Sequence, residues 1–250
     1  MQDSDLDGVS DNLDRCPKTP FFHQVDSFGC STKILTIPTQ SDNNSLFITA
    51  GYGYSISEDL LGHQKEHIEN IQINYYQNRW NYALNTGVYQ LGDKNGVIDT
   101  TFKINHRFYL NKDIRLNLGA GVKFNTDDFE GDKSDYILDT SLYYYPTLKL
   151  SLFSKYNYTI INDKENKIAL TNSYLFNIGF GYFITPKFYS SISYKNRKSK
   201  FRSEDTLNSL SSTLYYQWNK KWFTTLLYQE DIYDEDRHRV VNFKIGFKVW

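Results

Sequence analysis

The sequence predicts an all-β protein, a closed antiparallel transmembrane β-barrel of about twelve strands preceded by a short N-terminal loop segment. Three observations carry that prediction. Long runs alternate between apolar and polar residues, the apolar parity is rich in aromatic rings, and the connections alternate between tight turns and longer polar segments. Composition agrees: aromatics make up 17% of the 250 residues, with 21 Tyr, 17 Phe and 4 Trp. Mean hydropathy is -0.58, and no run approaches the roughly 18 apolar residues that a spanning helix needs. The net charge of -1 gives no case for nucleic acid as a partner.

Taken in order, residues 1–31 stand apart from the rest. They hold both cysteines, two of the five prolines and a dense set of aspartates. Residues 32–44 read as a linker and 45–250 as the barrel. Met1-Gln2-Asp3 lacks the basic and apolar stretches of a secretory signal, so an exported protein would correspond to a mature form with an added Met or to a truncated reading.

Asp3, Asp5, Asp7, Gly8, Asp11 and Asp14 follow the pattern D-x-D-x-D-G-x-x-D-x-x-D. Carboxylates at alternate positions of a turning loop can converge on one hard cation. Gly8 permits the sharp turn, and the Val9 carbonyl falls where an EF-hand-like loop uses a backbone oxygen. An all-oxygen ligand set suits Ca²⁺ rather than Zn²⁺. With Cys16-Pro17, Thr19-Pro20, Val25-Asp26 and Gly29-Cys30, the segment 3–30 resembles a thrombospondin type 3 repeat. That resemblance implies calcium on Asp3, Asp5, Asp7 and Asp14, with Asp11 bound directly or through water. The chain departs from the family in having one full unit where such repeats come in tandem and share ions, which implies weaker binding. The plain alternative is a solvated acidic linker.

Cys16 and Cys30 bracket a 13-residue segment in a chain with no other cysteine, which suggests a disulfide formed in an oxidising compartment. Closing such a loop contributes about 3 kcal/mol in the chain-entropy treatment. Two free buried thiols are the alternative.

From residue 45 the period is two. Leu46, Ile48, Ala50, Tyr52, Tyr54 and Ile56 fall on one parity, with Phe47, Thr49, Gly51, Gly53 and Ser55 on the other. About twelve such runs follow, near 45–57, 68–77, 79–91, 97–110, 113–125, 135–145, 148–161, 168–184, 187–198, 206–218, 221–232 and 238–250. Their length suits a tilted bilayer crossing. Tight turns such as Asn111-Lys112-Asp113 and Asn219-Lys220 interleave with longer segments such as Asp127–Asp135 and Arg197–Thr206. Rings crowd the tight turns, as an interfacial girdle would. A soluble barrel or sandwich would bury the apolar parity. Here the other parity, rich in Gly, Asn, Ser and Thr with added Lys and Arg, makes a wet lumen.

The last strand alternates through Val241, Phe243, Ile245, Phe247 and Val249, and resembles the terminal signal of bacterial outer-membrane barrels, although Trp250 falls on the opposite parity. The expected localisation is therefore the bacterial outer membrane, in contact with its lipid. An even strand count places the N-terminal segment in the periplasm.

Assigning the polar parity inward turns Lys103, Arg107, Arg115, Lys123, Lys149, Lys155, Lys195, Arg197, Lys244 and Lys248 toward the lumen, against Asp99 and Asp139. A low-dielectric wall of one charge sign concentrates counter-ions, so this lumen should favour anions. The arrangement resembles the twelve-stranded porin-like channels for acidic oligosaccharides, which implies small anionic solutes as cargo. Lys103, Lys123, Lys155 and Lys244 lie nearest mid-strand, where a constriction would matter most. The plainer reading is that these side chains pair internally and plug a narrow barrel.

Two other classes were weighed. Outer-membrane phospholipases also use about twelve strands, but need a Ser and a His base on the lipid-facing wall near the outer leaflet. His106 has the outward parity yet lies close to the Asn111 turn, at the wrong end, and no enzymatic activity is expected. A structural barrel carrying a calcium module toward a periplasmic protein or the cell wall is the third class. Proteins of the OmpA type place similar repeats between a barrel and a peptidoglycan-binding domain, whereas here the repeat precedes the barrel.

Overall fold

The computed structural model describes residues 9, 11–17, 23–34, 44–59, 62–126, 133–162, 169–201, 206–232 and 237–250. Near the N-terminus, β1 (His23–Val25) and β2 (Ser31–Ile34) pair antiparallel, and Cys16 is joined to Cys30 in a disulfide. The turn between the strands is held by Asp26, whose Oδ1 accepts the backbone N–H groups of Phe28 (2.9 Å) and Cys30 (3.0 Å). A segment this short has no core of its own, and the disulfide and side-chain caps take that place.

The remaining strands are β3 (Ser45–Asp59), β4 (Gly62–Gln77), β5 (Trp80–Leu91), β6 (Lys94–Tyr109), β7 (Ile114–Phe124) and β8 (Asp135–Tyr144). After them come β9 (Leu150–Ile160), β10 (Ser173–Thr185), β11 (Phe188–Lys198), β12 (Thr206–Gln217), β13 (Trp222–Asp231) and β14 (Arg237–Lys248). Each pairs antiparallel with its sequence neighbours, and β14 pairs with β3 from Lys248↔Phe47 to Arg237↔Glu58, closing a barrel of twelve strands. Closure leaves no unpaired edge, the condition for a sheet to cross a membrane.

Both ends of the barrel segment, Ser45 and Lys248, lie with the tight turns at one mouth, called here the terminal mouth. At the opposite mouth β5 and β6 turn through Gly92-Asp93, and Asp59 pairs with Gly62, so two of its connections are as short as those below. The expected alternation of short and long connections holds only for β7 to β14. β4 and β6 begin earlier than the alternation indicated because their first residues, Gly62–Glu66 and Lys94–Gly96, are mostly polar on both parities. β10 begins later, at Ser173. A bulge between β5 and β6, at Asn85/Gly87, shifts the parity of β6 and leaves Val97 outward beside outward Val88.

Apolar residues face out. Tyr52 is 45% exposed and Ile245 42%, while Leu116 pairs with outward Leu142 and Phe176 with outward Tyr156. Outward rings form two belts: Trp80, Phe108, Tyr144, Trp218 and Trp222 near the terminal mouth, and Tyr52, Tyr136, Tyr156, Tyr194 and Tyr228 nearer the other. Tyr136 and Tyr144 stand at opposite ends of β8. At about 3.3 Å per residue and a tilt near 40° that spacing rises about 20 Å, close to the apolar band of outer-membrane barrels. His106 faces out in the terminal belt, its ring 4.5 Å from Trp80 and 4.4 Å from Phe108. It sits there as an interfacial polar group among aromatics.

Among the described residues the fully buried apolar side chains are few: Ile137, Ile161 and Leu170. Ile161 and Leu170 flank the connection after β9, and Leu170 bridges Phe201. The fully buried apolar residues thus lie toward the opposite mouth, and the inward wall of the barrel is otherwise made mostly of polar residues and partly exposed rings.

Candidate functional site in the barrel lumen

Register places nine of the ten expected lumen bases on the inward parity: Lys103 and Arg107 on β6, Arg115 and Lys123 on β7, Lys155 on β9, Lys195 and Arg197 on β11, and Lys244 and Lys248 on β14, while Lys149 lies in the turn before β9. Lys103, Arg107, Arg115 and Lys155 line one cavity of about 630 Å³, together with Arg79, Tyr76, Tyr143 and the amides of Asn81, Asn117 and Asn177. Lys123, Lys195 and Lys244 lie outside it.

The cations divide into two groups by their partners. Lys103 Nζ is 2.9 Å from Asp139 Oδ2, and Asp139 also accepts a hydrogen bond from Asn157. Lys123 Nζ sits between Asp99 (3.2 Å) and Asp135 (3.0 Å), and Asp135 is 1% exposed. Asp135 Oδ1 in turn accepts the Asn162 backbone N–H at 3.0 Å, tying the end of β9 to β8. A buried carboxylate needs this density of partners to stay ionised. The two lysines are therefore matched by carboxylates, the arrangement that the plainer reading of the sequence expects for some of the inward bases.

Arg79, Arg107, Arg115 and Lys155 have no carboxylate within 4.0 Å among the described residues. Rings hold them instead. The Arg115 guanidinium lies 4.3 Å from the Tyr143 ring centre and 5.5 Å from that of Tyr145. Lys155 Nζ is 5.7 Å from Tyr143 and 5.4 Å from Phe153. Arg79 lies 5.9 Å from Tyr109, and Arg107 Nη1 donates to the Tyr109 hydroxyl at 3.3 Å. Stacking fixes a guanidinium plane without using its N–H donors, so the positive charge stays available. Arg115 Nε, Asn81 Nδ2, Asn117 Oδ1 and Asn177 Oδ1 are buried and have no hydrogen-bond partner among the described residues. Donors and acceptors left this way in a roomy polar cavity are positions for a solute or water.

Inward carboxylates are distributed unevenly along the axis. Glu66, Asp99, Asp135 and Asp231 lie toward the opposite mouth and Asp139 at mid-height, while Arg79, Arg107 and Arg115 lie toward the terminal mouth. The lumen is charge-balanced at one end and cationic at the other.

Sequence reasoning missed Arg79, which lies in a turn where parity gives no direction. It also missed an inward set of rings at the terminal mouth: Phe47, Tyr76, Tyr143, Phe153, Phe183, Tyr189, Tyr215 and Phe223. Each shares its strand parity with Gly, Ser, Thr or Asn, and that mixture was the available signal. The wall makes room for them with glycine: a Cβ on Gly181 would overlap the Tyr189 ring, and one on Gly246 the Phe223 ring.

This geometry has counterparts among solved structures. A porin named NanC superposes with a TM-score of 0.62, covering 81% of this chain and all of its own at 14% identity. The COG4313 outer membrane channel from Pseudomonas putida F1 gives 0.66, covering 82% of this chain and 95% of its own at 12% identity. The KdgM porin, also solved with disordered oligogalacturonate, gives 0.55, with 78% and 97% covered at 12% identity. The fold is that of these outer-membrane channels. No family model matches the sequence, and no curated protein matches it either.

In the N-terminal segment, Val9, Asp11 and Asp14 are described, while Asp3, Asp5 and Asp7 fall outside the described residues. Asp14 Oδ1 accepts the Cys16 backbone N–H at 2.7 Å, which links the acidic loop to the disulfide.

Proposed function

We propose that the protein is a porin-like channel of the bacterial outer membrane, with a basic lumen that favours small anionic solutes or acidic oligosaccharides. The observation that carries this reading is the set of Arg79, Arg107, Arg115 and Lys155 on one cavity wall without carboxylate partners. Cations held by rings attract a carboxylate, and the unpartnered amides beside them suit the hydroxyls of a sugar. Reversal potentials of the reconstituted protein in a planar bilayer under a KCl gradient test it. Anion preference is expected, and cation preference would overturn the reading.

The N-terminal segment is proposed as a periplasmic calcium-binding module, with Asp3, Asp5, Asp7, Asp11 and Asp14 and the Val9 carbonyl as ligands. The bound ion would supply charge neutralisation and order to a segment with no core. Calorimetric titration of the oxidised full-length protein with Ca²⁺ should show a single site that Asp5→Asn with Asp7→Asn removes, and no heat of binding would refute the module.

A second reading has support at the opposite mouth. Lys123 with Asp99 and Asp135 pairs charge in the lumen there, as expected of a plugged barrel whose role is structural, in contact with a periplasmic partner or the cell wall through its other end. Insertion without conductance would favour it.

A further inference from the structure

Tyr143 and Phe153 hold Arg115 and Lys155, but four other rings at the terminal mouth stack on none of the cations assigned to the anion preference. Tyr215, Phe223, Phe47 and Tyr76, on β12, β13, β3 and β4, form a continuous line with ring centres 5.5, 6.2 and 5.6 Å apart. The line crosses β14, which lies between β13 and β3, at Gly246. Any side chain there would occupy the place of the Phe223 ring and separate Phe223 from Phe47. All four rings are partly buried and none is fully covered, so each keeps some accessible surface. Rings that only filled space would be covered, as Ile137 and Leu170 are at the other mouth. The arc joins the cationic wall at Tyr76, which lines the same cavity as Arg107 and Arg115. Beside it, Arg115 Nε is buried and unpartnered among the described residues.

An arc of rings meeting at interplanar angles of 32°, 63° and 89°, which offers both faces and edges and ends against guanidinium groups, matches a ligand with two parts. One is a carboxylate, taken by Arg115 and Arg107 through charge-assisted hydrogen bonds. The other is a ring that stacks on the face of Tyr76 or Phe47 and meets the edge of the other, since those two rings stand at 89° to each other. A flexible acyclic acid offers no face to the arc and loses rotational freedom on binding, so it gains the first interaction without the second.

We propose that the terminal mouth is a stacking site selective for ring-bearing carboxylates over acyclic ones, with Phe47, Tyr76, Tyr215 and Phe223 as the specificity-determining residues. The proposal rests on the channel reading for its route of access and extends it by naming the solute class. A uronic acid and an aryl carboxylate share the required chemistry.

Calorimetry on the detergent-solubilised full chain compares galacturonate with gluconate, and benzoate with hexanoate, each pair matched in charge and close in size. The ring acid of at least one pair should bind about tenfold more tightly than its acyclic counterpart, and the pair that shows the difference identifies the source. Arg115→Gln should weaken all of the acids by about tenfold. Phe47→Leu with Phe223→Leu should bring the ring-to-chain ratio close to one while leaving gluconate binding unchanged. Equal affinities within both pairs for the unmodified protein would overturn the proposal without any variant. A ratio that survives the double substitution, in protein that keeps the heat-modifiable gel mobility of a folded barrel, would overturn the assignment to these rings. Open-channel current, recorded with KCl alone, reports separately on transport. Preferential binding without current would remove the channel reading and keep the site, whereas current with equal affinities would do the reverse.

Discussion

Lys103 and Arg115 stand on neighbouring strands, line the same cavity and carry the same formal charge, yet their surroundings give them different effects on a passing ion. Lys103 is matched by Asp139 at 2.9 Å, so a solute meets a dipole. Arg115 is matched by two tyrosine rings, which hold its plane and leave its charge. Replacing Lys103→Gln together with Asp139→Asn removes a pair with no net charge and should leave the anion-to-cation permeability ratio unchanged. Arg115→Gln should lower that ratio about two- to fivefold, the effect of one unit charge at the wall of a partly aqueous pore. Reversal potentials for the two variants check both outcomes. Strand parity made the inward direction of both residues legible in the sequence. Pairing of some inward base with Asp139 was the plainer expectation, but that Lys103 is the base was not legible, because those residues meet across β7 and their approach depends on side-chain reach.

At the scale of the strand, alternation told nearly everything about existence and direction, and less about ends. β3, β5, β11 and β12 start and stop within two residues of the apolar pattern because turn residues such as Asn78 and Gly92 interrupt it there, both with positive φ. β4 and β6 run further than the pattern, since polar residues projecting beyond the apolar band can pair without an apolar face. Parity itself is tested by charge. Ile245→Arg puts a guanidinium on the lipid-facing wall and should destabilise the barrel by about 2–4 kcal/mol if it lies near the bilayer midplane, whereas Ser191→Arg on the inward parity should cost far less. Urea unfolding in lipid vesicles measures the difference. Equal losses at the two positions would contradict the inward and outward assignment. The aromatic arc illustrates the limit of parity: Phe47 and Phe223 occupy positions that the pattern marks as polar, and only pairing across Gly246 shows why rings fit there.

For the molecule as a whole, a net charge of -1 conceals a division along the pore axis that sequence totals cannot express. Ten inward bases against two inward acids was the expectation from parity. The barrel brings Asp135, Asp231 and Glu66 inward as well, all toward the opposite mouth, where Lys123 is held by Asp99 and Asp135. The terminal mouth keeps Arg79, Arg107 and Arg115 with no carboxylate within 4.0 Å of them among the described residues, although Asp113 lines the turn cavity beside Arg115. A pore charged at one end only accumulates or depletes anions according to the direction of the field, so its current depends on the sign of the voltage. Single insertions should therefore give asymmetric current–voltage curves in 0.1 M KCl, where the Debye length is about 10 Å and comparable with a pore radius. In 1 M KCl that length falls to about 3 Å, and the curves should become nearly linear. Arg107→Gln with Arg115→Gln should straighten the low-salt curve by removing the charged end, while Lys103→Gln with Asp139→Asn should leave its curvature in place. A symmetric curve in low salt for the unmodified protein would mean that the charge division does not reach the permeating ions, and would place the constriction at the balanced, opposite mouth.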